Sequence, residues 1–433
     1  MRKIVFTIVA KNYVGLAFVL GQSVLNNSAG TDFYIIIADE VDDTFTLPAG
    51  NFTCLIAKDT LGIAPATWQQ MAFKYTLTEF CTAIKPFCFA YFFNRFAGAK
   101  AIYFDPDILV FSSLDDTWKV LDNKTVILTP HILTQQVNYT GSSRESSFLM
   151  NGIYNLGFIA IANNQSSGLL IEWWQNRLVN YSFADKMDGL YTDQKWMDFL
   201  PVFLPPEELE ISRNPGMNLA PWNYHERQLV KEGGSWLVVN RIIPAAKYPL
   251  VFVHYSGFNY RQLTANAAVN KNIPNLVVYK DIQPVIEEYI QLTTAGNIAG
   301  YFNYRYTYNY FNNGDAVLFF YRRLYRRLLE DDIMQLNPFD SGENGSMHNL
   351  LKKAHLLLKV TEENVDSLND QNFSGFDKKL LQLNRYHKFL RRILGARMYM
   401  VYSKFMMRYH RPENQVFLLM DEYMRNNYKI DYC

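Results

Sequence analysis

Up to Gly257 the chain alternates short, unbroken apolar runs with longer stretches in which apolar positions recur at helical spacing. KIVFTIVA (3–10), DFYIIIAD (32–39), FTCLIA (52–57) and AKAIYFD (99–105) each predict a strand buried on both faces. Between them, Tyr13 to Asn27 predicts a helix, and Ala66 to Phe96 predicts a long helical stretch interrupted or restarted near Pro86. IYNLGFIAI (153–161) predicts another strand and SSGLLIEWWQNRL (166–178) another helix. Asp193 opens a short helix, DQKWMDFL, that stops at Pro201, and PLVFVHYSG (249–257) is a last apolar strand ending in a polar, glycine-containing turn. Strands alternating with helices indicate an α/β fold around a largely parallel sheet. Beyond about residue 275 the pattern is helical without comparable strands, with breaks expected at 336–347 and 364–376. Two regions follow: an α/β domain over 1–270 and a mainly α-helical region over 271–433.

Composition adds a limited amount. With 49% hydrophobic and 19% charged residues the chain can bury a large core and is not a disordered one. Four cysteines, at 54, 81, 88 and 433, are too few and too scattered for a disulfide framework or a structural zinc site, so a reducing compartment is expected. The apolar start is ended by Lys11 and Asn12 with no small-residue cleavage site after it, and no stretch reaches the length of a membrane span. A cytoplasmic protein is expected, with peripheral attachment at the inner face of a membrane as one option. The net charge of +1 hides an asymmetry, because residues 301–433 hold 20 Lys/Arg against 15 Asp/Glu. Most of that excess lies between Asp377 and Pro412, where there are ten basic residues and one acid. Leu383, Tyr386, Leu390, Ile393 and Leu394 recur there at helical spacing, with Arg385, Lys388, Arg391 and Arg392 interleaved. Such a helix can lie on an anionic membrane surface or pack its apolar side on the rest of the protein. FFYRRLYRRLL (319–329) has a similar look.

The residues that suggest chemistry sit at strand ends. In Tyr103-Phe104-Asp105-Pro106-Asp107 the two acids project to the same side of an extended chain, and Pro106 stops the strand. Paired carboxylates at the C-terminal edge of an α/β sheet can hold Mg²⁺ or Mn²⁺, and through it phosphate; a solvated turn is the plainer alternative. His254 is delivered from the end of a core strand and becomes a third ligand if the acids bind metal, although a strand histidine taken alone is more often a satisfied core residue. Beside it, Gly257 sits in a turn whose backbone could approach a ligand. Asp193 and Gln194 begin a helix, where the Asp can cap the backbone or both side chains can project into a pocket. Asn155 interrupts an apolar strand, with Gly157 allowing close approach, and can also be a turn or edge residue. Asp39 ends the second strand, where it can bind a ribose or base or simply mark a loop. The first strand–helix turn, AKNYVG, lacks the G-x-G-x-x-G of dinucleotide-binding enzymes, which disfavours a dehydrogenase.

The order of strand-D-x-D, YNLGFIAI, TDQKWMDFLP, PGMNLAPWNYHER and FVHYSG resembles a GT-A-fold glycosyltransferase, most closely the retaining family 8 type and related bacterial polysaccharide-assembly enzymes. The resemblance spans roughly residues 1–260. It implies a nucleotide-sugar-binding sheet with helices on both faces, and Mn²⁺ (or Mg²⁺) held by Asp105, Asp107 and His254 on a nucleotide diphosphate. The donor implied is a UDP-linked hexose. Base and ribose contacts map to Thr7, Ala10, Asn12, Tyr13 and Asp39, a donor-reaching cation to Lys85, and sugar contacts to Asn155, Asp193 and Gln194. The family's phosphate-binding Lys has no counterpart here: Tyr260 stands at its position, with Arg261 next as a substitute. The implied acceptor is a saccharide or lipid-linked saccharide in surface polysaccharide or glycolipid synthesis, and no nucleic-acid partner is implied. An inverting enzyme with Asp193 as base stays open beside it, as does a non-catalytic, membrane-bound scaffold on the same fold. A nucleotidyltransferase is a weaker rival, lacking a Gly-rich phosphate loop near the first strand.

Overall fold

The computed structural model describes every residue except 48–49, 245, 272, 274–275, 335, 360–374 and 421–433. Contacts divide it into two compact units: Met1–Ile63 with Leu77–Tyr306, and Ala64–Thr76 with the described residues from Thr307 onward. The units therefore divide at Tyr306 rather than where the strand pattern fades near 270, because Gln283–Ala295 buries Val285, Ile286 and Tyr289 in the first unit's core.

The first unit is built on strands β1 (Lys3–Val9), β2 (Thr31–Ile37), β3 (Thr53–Ile56), β4 (Lys100–Phe104), β5 (Ile108–Val110), β6 (Val126–Pro130) and β7 (Tyr154–Ala162). They are followed by β8 (Ala184–Asp185), β9 (Leu190–Tyr191), β10 (Leu209–Ile211), β11 (Arg227–Glu232), β12 (Ser235–Asn240), β13 (Tyr248–Pro249) and β14 (Phe252–His254). Seven of them form one mixed sheet in the order β10-β6-β7-β4-β1-β2-β3, parallel except that β7 runs against its neighbours β4 and β6. The continuous apolar runs of β1, β2, β4 and β7 are explained by cover on both faces: every residue of β4 and β7 is buried. Helix Val14–Asn27 contributes Val14, Ala17, Leu20 and Val24 to one core cluster. Helix Gln165–Tyr181 starts at a capping box, Asn164 Oδ1 accepting from Ser167 N and Ser167 Oγ from Asn164 N, each at 2.9 Å.

Two pairings place the site. Phe104 of β4 lies opposite Phe158 of the antiparallel β7, which brings the N-terminal end of β7 beside the C-terminal end of β4. The short β14 pairs with β5 so that His254 faces Ile108, one residue beyond the second acid.

Two helical expectations are corrected. The stretch 66–96 is two helices, Pro65–Lys74 and Leu77–Arg95; Pro86 is carried inside the latter and the break falls at Tyr75, which is extended. At this break Arg322 Nη1 donates to the carbonyls of Ala72, Phe73 and Tyr75 at 3.1, 2.7 and 2.8 Å. Those carbonyls are the ones that a continuing helix would use internally. Helix Phe319–Glu330, which resembles a membrane-facing segment in sequence, instead buries Arg322, Arg323 and Arg326 with Tyr321, Leu324, Tyr325 and Leu328. Arg322 Nη2 donates to Tyr308 O, and Arg326 Nη1 to Glu413 Oε1 at 3.3 Å. The expected break at 364–376 falls almost wholly outside the described residues.

Arg322→Leu should destabilise the second unit by about 3–5 kcal/mol, because it leaves several buried carbonyls unpaired at once. Arg322→Lys should recover only part, since an ammonium cannot span the same acceptors in one plane. Denaturant unfolding of the three proteins checks it; a loss near that of an ordinary surface substitution would refute the capping role.

Candidate functional site

Asp105 and Asp107 leave the C-terminal end of β4 on either side of Pro106, and β14 presents His254 to both. His254 Nε2 lies 3.1 Å from Asp107 Oδ1 and 3.7 Å from Asp105 Oδ2. One ligand atom from each of the three residues fits within a sphere of contacts no wider than 4.8 Å. The histidine is buried, whereas the Asp105 and Asp107 side chains keep 31% and 20% of their surface exposed. The backbone fixes all three: Asp105 N donates to Gly157 O and Tyr255 N to Asp107 O, both at 2.8 Å.

The ring of His254 is oriented from behind. Its Nδ1 lies 3.1 Å from Asn155 Oδ1, which also accepts from Gly157 N at 3.2 Å and from Asn218 Nδ2 at 3.1 Å. An oxygen already taking two N–H groups accepts a third from the imidazole, so Nδ1 carries a proton and Nε2 is the nitrogen turned to the acids, donating to them when the ring is charged and offering its lone pair when it is neutral. A Cβ on Gly157 would stand 2.4 Å from His254 Cε1, so only glycine leaves room for the ring here. Trp222 packs edge-on against that ring at 5.2 Å.

A second chain of charges runs from the other side. Lys85, on helix Leu77–Arg95, is buried with Nζ 2.5 Å from Asp193 Oδ2 and 2.9 Å from Leu156 O. Its ammonium also stands 4.0 Å from the centre of the Tyr103 ring, and the Tyr103 hydroxyl donates to Asp105 Oδ1 at 2.6 Å. Burial raises the Asp105 carboxyl above its usual range despite Lys85 and His254. Burial acts the same way on Asp107, but the charge and hydrogen bond of His254 outweigh it and hold this acid below its usual range. For His254 burial lowers basicity, and the two carboxylates more than reverse it, so the imidazole titrates above 6.5.

The remaining sequence candidates separate. Ala10, Tyr13, Cys81, Tyr103, Asp105 and Asp107 line one cavity of about 280 Å³ at the sheet edge. Thr7, Asn12 and Asp39 are not among its lining residues. Thr7 Oγ1 and Asn12 Oδ1 are buried without a hydrogen-bond partner, and Asp39 Oδ2 lies 3.9 Å from Lys11 Nζ. Asp193 does not cap the following turn, whose first backbone groups receive no side-chain cap; its carboxylate is turned to Lys85. That turn also runs past Pro201, which occupies the first turn of Leu200–Phe203. Gln194 is spent on the protein, Oε1 accepting from Asn155 Nδ2 and Leu156 N and Nε2 donating to Asn151 O. Gly257 takes a positive φ of 80° in the turn after His254. Arg261 is exposed, and its Nη2 donates to Phe302 O at 3.4 Å.

Sequence reasoning passed over Asn218, Tyr103 and Trp222 as site residues. Asn218 has φ 59°, a conformation asparagine adopts more readily than most residues, but a single Asn in a loop does not announce a partner sixty residues away.

No family model matches the chain. It is 23% identical over 188 residues to the uncharacterized protein YfnF of Bacillus subtilis (strain 168), covering 42% of this chain and 57% of that protein, so it spans little more than half of that relative's length. Among solved structures it is similar to the galactosyltransferase LgtC in complex with donor and acceptor sugar analogs, at 16% identity and a TM-score of 0.39 over 67% of this chain and 95% of that one. Mouse xyloside xylosyltransferase 1 is similar at 9% identity and TM-score 0.38, over 59% and 97% of the two chains. The glycosyltransferase GlyE of Streptococcus pneumoniae TIGR4 is similar at 13% identity and TM-score 0.36, over 72% and 67%. These likenesses are loose, and the chemistry of the site is carried by its own residues.

Lys85→Met should destabilise the first unit by about 3–5 kcal/mol by leaving the buried Asp193 carboxylate without its ammonium. The double change Lys85→Met with Asp193→Leu should regain most of that loss, because both desolvation costs are then removed together. Urea unfolding of the two variants decides the matter; equal losses in both would mean that packing, and not charge, is what Lys85 contributes.

Proposed function

We propose that this chain is a metal-dependent glycosyltransferase that moves a hexose from a nucleoside diphosphate, UDP in the first instance, to a saccharide hydroxyl. The observation that supports it most is the convergence of Asp105, Asp107 and His254 beside a cavity that extends to the first strand–helix turn at Ala10 and Tyr13. The donor set fits a divalent ion: two hard carboxylates and one imidazole whose Nε2 is turned to them, a combination better suited to Mn²⁺ than to Mg²⁺. Charge points the same way. Asp105, Asp107 and Asp193 carry three negative charges around one ammonium, Lys85, which leaves an excess that a dication offsets.

Asp105, Asp107 and His254 would hold the ion, which supplies neutralisation of the departing diphosphate. Asn155 keeps Nε2 of His254 available by accepting the Nδ1 proton, and Gly157 keeps space for the ring. Ala10 and Tyr13 form the wall on which a nucleoside can rest. Lys85 and Asp193 position the sugar end of the cleft. A carboxylate oxygen 2.5 Å from an ammonium must leave that pair before it attacks carbon or takes a proton. This weakens Asp193 as nucleophile or general base. It favours retention by attack from the leaving-group side, where a phosphate oxygen accepts the hydroxyl proton. Arg261 would need to leave Phe302 O to reach a phosphate.

Nucleotide sugars screened with Mn²⁺ for slow hydrolysis should give one clearly preferred donor. Asp107→Ala and His254→Ala should each abolish transfer with the fold intact, as should excess chelator; undiminished turnover in EDTA would remove the metal from the mechanism.

The ion and a proton compete for His254. Since the imidazole titrates above 6.5, Mn²⁺ affinity should be full at alkaline pH and fall about tenfold per pH unit once pH drops below that raised value. Calorimetric titration with Mn²⁺ across this range checks it; an affinity flat between pH 8 and about 5.5 would exclude His254 as a ligand.

A further inference from the structure

Helix Phe376–Tyr409 is not straight. Gly395 interrupts it at φ 71° and ψ 168°, a conformation that glycine adopts freely and L-residues avoid. The His387 ring lies 6.1 Å from Tyr399 and 6.0 Å from Tyr402, with Tyr399 Oη 3.3 Å from His387 Nδ1. Twelve residues of unbroken helix would separate His387 and Tyr399 by about 18 Å. The segment is therefore a helical hairpin that turns at Gly395. Its far end returns to the second unit's core, where Glu413 is buried against Arg323 and Arg326.

In the first arm, Leu383, Tyr386, Phe389, Leu390, Ile393 and Leu394 fall on one side, and Arg385, Lys388, Arg391 and Arg392 on the other. The second arm continues the pattern with Met398, Tyr402, Phe405 and Met406 opposite Arg397, Lys404 and Arg408. Yet no described residue from Asp377 to Tyr409 is buried: Phe389 is 60% exposed, Ile393 65% and Met407 63%. Among the described residues, the apolar side is thus not packed into a core. Large apolar side chains left exposed along one side of a helix, Phe389 and Ile393 among them, mark an interaction site.

Charge selects the occupant. The hairpin carries nine basic residues and one acid, so two copies laid face to face would oppose like charges. A nucleic acid would engage the basic side and leave the apolar side in water. An anionic bilayer satisfies both: lipid headgroups meet the Arg and Lys side chains while Phe389, Ile393 and Phe405 enter the acyl boundary. We infer that the Phe376–Tyr409 hairpin seats this protein on the surface of an anionic lipid bilayer, lying in the interface without crossing it. Among the described residues no helix is long and apolar enough to cross a membrane. The inference is independent of the proposed chemistry, but together they place glycosyl transfer where a lipid-linked acceptor is presented.

Sedimentation of the full chain with phosphatidylcholine–phosphatidylglycerol vesicles, against phosphatidylcholine alone, tests it. Binding to the mixed vesicles at low salt is expected, weakening as salt rises. Reversal of Arg385, Lys388, Arg391 and Arg392 to Glu should weaken it more than about a hundredfold. Phe389→Ser with Ile393→Ser should weaken it while leaving all charges in place. Circular dichroism of both variants guards against unfolding, and donor hydrolysis in the same samples reports on the catalytic reading separately. Three results would overturn the inference: a protein left in the supernatant at low salt, equal binding to neutral vesicles, or self-association or duplex DNA binding that the Phe389/Ile393 variant alters without any vesicle binding.

Discussion

Asn155 Oδ1 is the atom on which the site depends. It lies on the one strand of the seven-stranded sheet that runs against its neighbours, and it collects the Gly157 N–H, the Asn218 amide and the His254 imidazole within 3.2 Å. An acceptor saturated in this way fixes the imidazole tautomer, and the tautomer decides whether His254 offers a lone pair or a proton to Asp105 and Asp107. Asn155 is fixed in turn through its Nδ2 by Gln194, which is tied to two backbone groups. The site is thus a set of side chains locked one by another, and the acids at the front are the only members with appreciable exposure.

The electrostatics follow from the same closeness. Three carboxylates share one ammonium and one imidazole, and the competition separates the two acids of the D-x-D: Asp105 is pushed up by burial, Asp107 held down by His254. An imidazole that titrates higher than usual between two acids responds to excess negative potential, the condition that favours a bound cation. Lys85 meets part of that potential from the opposite side, through Asp193 and across the face of Tyr103.

The arginines of the second unit show how similar sequences are used in opposite ways. FFYRRLYRRLL and the segment after Asp377 are both basic and aromatic at helical spacing. In the former the guanidinium groups are buried because carbonyls at the end of Pro65–Lys74 and the Glu413 carboxylate await them. In the latter most of the described basic residues are exposed, on a hairpin none of whose described apolar residues is fully buried. Arginine tolerates both settings, since its planar fork can satisfy several acceptors at once and its stem is apolar.

The sequence by itself determined the alternation of strands and helices in the first unit, the placing of Asp105, Asp107 and His254 at strand ends, and the basic excess near the C-terminus. These are legible because apolar periodicity and proline placement act locally. Only the tertiary structure decided what the side chains at those places do. Asp193 looks like a helix cap in sequence and is half of a buried ion pair with Lys85, over a hundred residues earlier. Gly157 looks like a permissive strand glycine and is the gap that admits the His254 ring. Helix 66–96 looks breakable at Pro86 and breaks at Tyr75, where Arg322 supplies donors to the freed carbonyls. In each case the deciding partner is distant in sequence and its hydrogen bonds leave no trace in local pattern, so tertiary pairing of buried polar groups, which must be satisfied somewhere, settles the roles.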